Sequence, residues 1–290
     1  MPPLTDDGEE NSRTSRRAVL QSVGGGIGVT AGIGAGGYLT DDRFTDEDGD
    51  GIPDRKERSD SFHRRLTDLF GENQFEGLDP DRRDLLLDIR YVGEASIDDR
   101  TKRTIEQRFR DHGVYAQWLD YPGRYDHDRI EREYGWNAKT LLWDRTGLYR
   151  EEVEPFVRDV AVQVFVIPGH EFERYGGLVY SPWANLFGGG VDGHVNGFSV
   201  GNRAVVCDRN DKWEQERLLF HEIAHLTLCH DDDPDNTGVM GTNEEIALTD
   251  DEWDTLRTNL DAVRDTTGYD IAFRRCLWEG CLEGVADRLQ

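Results

Sequence analysis

Residues 85–92 read Leu-Leu-Leu-Asp-Ile-Arg-Tyr-Val, and this short, mostly apolar run predicts a β-strand. Residues 98–112 follow with the apolar spacing of a surface helix, which Gly113 ends. A further apolar run at 114–119 predicts a second strand. Strand, helix and strand in this order are typical of a β-α-β unit, so the body of the chain begins as a layered structure.

The remaining elements alternate less regularly, and the last two are helices. We predict helices around 127–135 and 150–158, strands over 160–167 and 204–207, and helices over 212–228 and 249–263. The Gly-rich stretch 176–201 predicts loops with a short edge strand. Thr249 and Glu252 have the spacing of a capping box at the start of the last helix. These patterns together predict the α+β class.

The charge balance of the chain is extreme. Of its 290 residues, 34 are Lys or Arg and 59 are Asp or Glu, which gives a net charge of -25. A chain this acidic is repelled by nucleic acid and by anionic membrane surfaces, so we expect neither as a partner. The acidic residues are spread over the whole chain, and this distribution indicates the surface of a halophilic protein.

The N-terminus resembles a twin-arginine export signal. Arg16 and Arg17 precede an uncharged, Gly-rich run from Ala18 to Leu39. The resemblance implies that residues 1–40 direct export to the extracellular space or the cell surface. Cleavage of this segment and its retention as a membrane anchor both stay open, and a disordered basic tail is the other interpretation.

Residues 46–57 have the spacing of a calcium-binding loop, D-x-[DN]-x-[DN]-G-x5-E. Calcium prefers oxygen ligands, and Gly51 permits the sharp turn that such a loop needs. The predicted ligands are the carboxylates of Asp46, Asp48, Asp50, Asp54 and Glu57 and the carbonyl of Ile52. Pro53 makes the run resemble a thrombospondin type 3 repeat more than an EF-hand. We predict that residues 41–80 are an acidic linker that contains this loop, and the alternative is that the linker binds no metal.

Residues 221–225 read His-Glu-Ile-Ala-His, which is the H-E-x-x-H pattern. On a helix, residues i and i+4 lie on one face, so His221 and His225 can bind one zinc ion. Glu222 lies about 100° around the helix axis, close enough to activate a zinc-bound water. Coincidence is the other interpretation, in which a helix carries two surface histidines.

The residues after this pattern carry a family resemblance. His230 follows at close range, and Met240 lies in a turn-rich segment before the last predicted helix. This order is similar to that of the metzincin clan of zinc peptidases, in particular its archaeal, matrixin-like and snapalysin-like members, over residues 82–263. The resemblance implies a mixed twisted sheet, a zinc-binding helix, a C-terminal helix and a structural role for Met240 beneath the metal.

Two departures from the metzincin pattern leave the third zinc ligand open. Leu228 stands where the family has Gly, and the family spacing of the third ligand reaches Asp231. We predict His230 as the ligand, because neutral imidazole suits zinc, with Asp231 as the alternative. A gluzincin arrangement, in which Glu244 or Glu245 is the ligand on a later helix, is a further alternative.

The resemblance implies an exported zinc endopeptidase whose catalytic domain covers residues 81–290. We expect a monomer that acts on peptides or proteins and contacts a membrane only through an uncleaved N-terminal segment. The substrate would pair with an edge strand near 178–180 or 197–200. The alternative function is that of a catalytically inactive, cell-surface calcium-binding module.

Overall fold

The computed structural model describes residues 45–136, 139–143, 146–169, 196–200, 202–225, 227–228 and 235–260. Several sequence predictions fall outside these residues and stay predictions. They are the export signal at 1–40, the edge strand near 178–180, and the candidate ligands His230 and Asp231. The last helix, predicted over 249–263, ends at Thr258.

Five strands and nine helical segments follow one another along the described residues. The strands are β1 Asp84–Val92, β2 Tyr115–Tyr125, β3 Ala161–Ile167, β4 Gly197–Val200 and β5 Arg203–Cys207. The α-helices are α1 Asp54–Glu57, α2 Asp60–Phe70, α3 Asp99–Asp111, α4 His127–Glu133, α5 Leu148–Glu152, α6 Pro155–Arg158, α7 Lys212–Ala224 and α8 Asp250–Thr258. A short π-helix spans Lys139–Trp143.

The strands form one sheet in the order β2-β1-β3-β5-β4. The pairs β1–β2, β1–β3 and β3–β5 are parallel, whereas β4 runs antiparallel to β5 at one edge. β1 and β3 are buried along their whole length, as expected for central strands of a parallel sheet with helices on both faces. The predicted fold class, a mixed twisted sheet with helices, is confirmed.

Aromatic side chains join three helices on one side of the sheet. The ring of Phe109 in α3 lies 5.7 Å from the ring of Phe220 in α7, and 5.4 Å from that of Trp253 in α8, measured between centroids. All three side chains are buried. Because Phe220 directly precedes the H-E-x-x-H pattern, this cluster fixes the position of the motif relative to the sheet.

The segment before β1 adds a helix that the sequence interpretation missed. The side-chain oxygen of Ser59 accepts a hydrogen bond from the backbone of Phe62 and caps α2. Phe62, Leu66 and Phe70 are four residues apart, so they lie on one face of α2, and all three are buried in the core. Residues predicted as an acidic linker therefore contribute to the same core as the sheet.

Two predicted helices differ from the structure. The helix expected at 150–158 is divided into α5 and α6, because Pro155 starts a new helix and Val153 is extended. The helix expected at 212–228 ends at Ala224. There the hydroxyl of Thr227 lies 3.3 Å from the Ala224 carbonyl, and such side-chain bonds compete with the helical pattern.

The capping box predicted at the start of the last helix is confirmed, with reciprocal bonds between Thr249 and Glu252. Within the described ranges, every helix is too short or too polar to cross a bilayer.

Candidate metal centre

Helix α7 places the H-E-x-x-H residues between the sheet and the segment that follows them. Asp211 caps the helix by accepting a hydrogen bond of 2.9 Å from the backbone of Glu214. Leu219, Phe220 and Ile223 are buried and hold the helix against the core. The charge-bearing residues of the pattern therefore stand at the C-terminal end of a helix whose position is fixed by packing.

The two histidine rings of the pattern lie close together, edge to face. The centroids of His221 and His225 lie 4.4 Å apart, with the rings at 83°. Nδ1 of His221 lies 2.6 Å from the carbonyl oxygen of Val239, and Nδ1 of His225 lies 3.2 Å from that of Leu228. A carbonyl can only accept, so in both rings Nδ1 carries a hydrogen, and in the neutral form of each ring Nε2 then carries the lone pair.

This tautomer is the one that a metal site needs. Histidines that ligate zinc through Nε2 donate their other N–H to a carbonyl or carboxylate, which fixes the orientation of the ring. The donor set formed by His221 and His225 therefore fits a zinc ion.

The carbonyl that orients His221 belongs to a tight turn around Met240. The backbone N–H of Gly241 donates to the Gly238 carbonyl at 3.1 Å, and Met240 is fully buried. A Cβ atom at position 241 would lie 2.1 Å from the carbonyl oxygen of Asn236, so only glycine is accommodated there. The turn thus brings Val239 against helix α7.

Glu222 is held by two residues of the edge strand β4. It is 5% exposed, and the Ser199 hydroxyl donates to its Oε2 and lies 2.7 Å from its backbone carbonyl. A Cβ atom at Gly197 would lie 2.4 Å from Oε1 of Glu222. Burial raises the pKa of Glu222 to about 7, and the hydrogen bond from Ser199 opposes this rise. Sequence spacing gave no sign of either contact.

The gluzincin alternative requires a ligand glutamate on a helix after the H-E-x-x-H pattern, and Glu244 and Glu245 are not placed in this way. Glu244 and Glu245 are exposed, and both donate their backbone N–H groups to the Thr237 carbonyl. They lie in the turn before α8 and not on a helix. The positions of these two residues therefore do not support them as ligands.

The predicted calcium loop folds around the carboxylate of Asp46. Its Oδ1 accepts from the backbone N–H groups of Gly49 and Asp50, and its Oδ2 from that of Gly51. Gly49 and Gly51 both have positive φ, 76° and 84°, which a calcium loop of this type requires. The structure brings Asp46, Asp48 and Asp50 together, with ligand atoms within 4.8 Å of one another.

A second group of carboxylates extends beyond the loop. Oxygens of Asp50, Glu57 and Asp84 also lie within 4.8 Å of one another, and all three residues are buried. Burial and the neighbouring carboxylates raise the pKa of Glu57 to about 9. Asp84 is the first residue of β1 and lies outside the twelve-residue pattern, so the spacing of that pattern does not predict it as a ligand.

Asp54, a predicted ligand, belongs to neither group of the described residues. Its Oδ1 accepts from the backbone of Glu47 at 3.0 Å, and its Oδ2 pairs with the Arg58 guanidinium at 3.0 Å. The side chain therefore closes the loop and pairs with α1. The backbone N–H of Ile52 donates to Oδ1 of Asp50 at 2.6 Å, and the Ile52 carbonyl stays a predicted ligand.

No family model matches the chain, and no curated protein matches it. One similar solved structure is the archaemetzincin of Methanopyrus kandleri, at 15% sequence identity and a TM-score of 0.34. The match covers 67% of this chain and 96% of that one. A likeness at this level says nothing about the chemistry of the site.

Proposed function

We propose that this chain is a zinc-dependent peptidase with Glu222 as its catalytic base. The observation that carries the proposal is the state of the two histidines. At both His221 and His225, a backbone carbonyl accepts from Nδ1 and selects the tautomer that presents Nε2 as a ligand. A coincidental H-E-x-x-H pattern gives no reason for both rings to be held in this way.

Different residues of the chain have different roles in the proposed hydrolysis. His221 and His225 hold the ion, with His230 as the proposed third ligand and Asp231 as the alternative. When bound, zinc polarises the scissile carbonyl and lowers the pKa of the attacking water. Glu222 accepts the proton of that water and later gives it to the leaving amine. Ser199 keeps the carboxylate of Glu222 at one position during both transfers.

Strand β4 is the proposed binding edge for the substrate. It lies at the end of the sheet formed by the described strands, and Gly197 and Ser199 already contact Glu222. A peptide in extended conformation can add to such an edge through backbone hydrogen bonds, independently of its sequence. An endopeptidase that acts on peptides or unfolded proteins is consistent with this arrangement.

The proposal extends to location and to a second metal. Arg16, Arg17 and the uncharged run after them support twin-arginine export to the extracellular space or the cell surface. The net charge of -25 supports a halophilic setting without nucleic-acid partners. The folded loop at 46–57 supports a bound calcium ion.

Metal analysis of single variants tests the zinc site. The purified wild type should contain about one tightly bound zinc per chain, and His221→Ala or His225→Ala should lose it. His230→Ala and Asp231→Ala, compared with each other, identify the third ligand. A wild type that contains no zinc after incubation with zinc would contradict the proposal and favour the inactive calcium-binding module.

A further inference from the structure

We propose that Asp50, Glu57 and Asp84 form a buried calcium site that joins the loop at 46–57 to the first residue of β1. This inference deepens the calcium part of the proposed function and does not depend on the zinc site. It changes the ligand set, because Asp84 comes from the sheet and not from the loop.

Glu57 is the residue that points to a ligand. It is only 2% exposed, and neither of its two carboxylate oxygens has a hydrogen-bond partner. Leaving a buried carboxylate without a partner is costly, whereas a divalent cation bound to both oxygens would satisfy it. Both unpartnered oxygens belong to a side chain that is grouped with Asp50 and Asp84.

Asp50 and Asp84 are held beside Glu57 by the backbone. Both side chains are fully buried. Oδ2 of Asp50 accepts from the backbone N–H of Asp84 at 2.7 Å, so the loop is bonded to the start of β1. Oδ2 of Asp84 accepts from the backbone N–H of Asp79 at 2.9 Å. A carboxylate oxygen that accepts one hydrogen bond keeps a second lone pair, which can still bind a cation.

The charge of the cluster favours a cation. The three carboxylates lie close together, and Nε of Arg82 donates to Oδ1 of Asp84 at 2.9 Å. Asp48 stands on the loop side of Asp50, and its Oδ2 is also buried without a hydrogen-bond partner. Negative charge therefore exceeds positive charge in a region that water reaches poorly.

The donor chemistry selects calcium among common metals. All of the donors are oxygens, which excludes the nitrogen and sulfur environment that zinc prefers. Calcium accepts irregular sets of carboxylate ligands, whereas magnesium requires near-octahedral geometry. In the twelve-residue pattern Asp54 would contribute a ligand, but its oxygens bond to Glu47 and Arg58. Asp84 takes that place from outside the loop.

A cation at this position has a structural consequence. It would tie residues 46–57 to β1, a central strand of the sheet, and it would bind the folded chain only, because unfolding separates Asp84 from Glu57. Calcium should therefore raise the melting temperature of the whole chain, and above the dissociation constant the rise should grow with the logarithm of the calcium concentration.

The test uses the full-length chain in a His221→Ala, His225→Ala background, so that chelation of zinc does not contribute. Calcium binding is measured by titration calorimetry and by melting temperature, at constant ionic strength, with magnesium as the comparison ion. Glu57→Gln and Asp84→Asn remove proposed ligands. Asp54→Asn removes a carboxylate of the loop that is not in the group, and Asp81→Asn removes an exposed one near β1.

Calcium should raise the melting temperature of the parent chain, and Glu57→Gln and Asp84→Asn should each weaken calcium binding at least tenfold. Without calcium, Glu57→Gln should melt at or above the parent temperature, which separates loss of a ligand from misfolding. Asp54→Asn and Asp81→Asn should keep the response to calcium. If Asp84→Asn binds calcium like the parent while Asp54→Asn does not, the loop alone holds the ion and this inference is wrong. If the parent binds no calcium, the calcium part of the proposed function fails as well.

Discussion

At the scale of single residues, the position of Glu222 depends on a hydrogen bond from one residue of strand β4 and on the absence of a side chain at another. Ser199 donates a hydrogen bond to the carboxylate, and Gly197 leaves the space that the carboxylate occupies. A general base must lie within hydrogen-bond reach of the proton it accepts, and an error of about 1 Å can lower a rate by about 100-fold.

Gly197→Ala should therefore reduce peptide hydrolysis by about 100-fold without loss of zinc. The added Cβ would lie 2.4 Å from Oε1 of Glu222, so the carboxylate must move, while His221 and His225 are untouched. Steady-state kinetics and metal analysis measure the two effects. Gly123→Ala in β2, at the opposite edge of the sheet, is the matched control. Equal activity of Gly197→Ala and wild type would show that β4 does not position the base.

The sequence identified the residues whose roles depend on local spacing and missed those brought together by strand pairing. His221, Glu222 and His225 could be selected because one helical turn relates them. Ser199 could not, because its approach to Glu222 depends on the register of β4 against β5. A glycine inside a strand often marks the close approach of another group, so Gly197 is consistent with a neighbouring side chain at that position.

At the scale of elements, the turn at 238–241 is the segment that contacts the C-terminal end of helix α7. It presents the Val239 carbonyl to Nδ1 of His221 and buries Met240 behind it. Groups that orient a ligand in this way typically change metal affinity by about 10- to 100-fold when they are lost.

Gly241→Ala should lower zinc affinity by about 10- to 100-fold. The new Cβ would meet the Asn236 carbonyl oxygen at 2.1 Å, so the turn must open and withdraw the Val239 carbonyl from His221. Competition with a zinc chelator measures the affinity. Thr242→Ala changes an exposed side chain in the same turn and should leave zinc binding unchanged. Unchanged affinity in Gly241→Ala would mean that the turn plays no part in the metal site.

The centre of β1 contains a buried ion pair, and removal of one partner should destabilise the fold because the other charge stays buried. Arg90 and Asp88 are fully buried with 2.8 Å between Nε and Oδ2, and Arg90 also donates to Tyr125 and Glu154. Arg90→Leu should lower the free energy of unfolding by about 3–5 kcal/mol, because it leaves Asp88 buried without its partner. Urea denaturation measures the loss.

The double variant Asp88→Leu, Arg90→Leu is the control for that prediction. Replacing both members of a buried pair by apolar residues is often close to neutral, so it should recover most of the stability. A double variant as unstable as Arg90→Leu would show that the packing of Arg90, not the charge of Asp88, causes the loss.

Elements were predictable where the pattern was local. β1, α3 and the capping box of α8 follow from apolar periodicity and capping residues. The strand order β2-β1-β3-β5-β4 was not predictable, because it depends on contacts between distant segments. Helix α2 had its cap and its apolar face in the sequence but was obscured by the acidic residues around it.

At the scale of the whole molecule, the charge of the chain sets the conditions under which it folds. With a net charge of -25, the excess carboxylates repel one another in the folded state, and dissolved salt screens that repulsion. Between about 0.01 M and 1 M salt, the Debye length falls from about 30 Å to about 3 Å.

The melting temperature should therefore rise steadily with NaCl over that range of concentration. The measurement is thermal unfolding in a buffer of fixed pH and fixed calcium concentration, with KCl as the comparison salt. The two salts should act alike, because screening depends on ionic strength. A melting temperature that is constant or falls with salt would contradict the interpretation of the acidic surface.

If Glu222 is the base of a zinc peptidase, Glu222→Gln should largely abolish hydrolysis and leave the metal in place. Zinc content and hydrolysis of an unfolded protein substrate are measured together on wild type and variant. The variant should keep about one zinc per chain and lose activity by about 10²- to 10⁴-fold, the usual contribution of a general base. Wild-type activity in a zinc-loaded Glu222→Gln variant, or no hydrolysis by the zinc-loaded wild type, would contradict the claim.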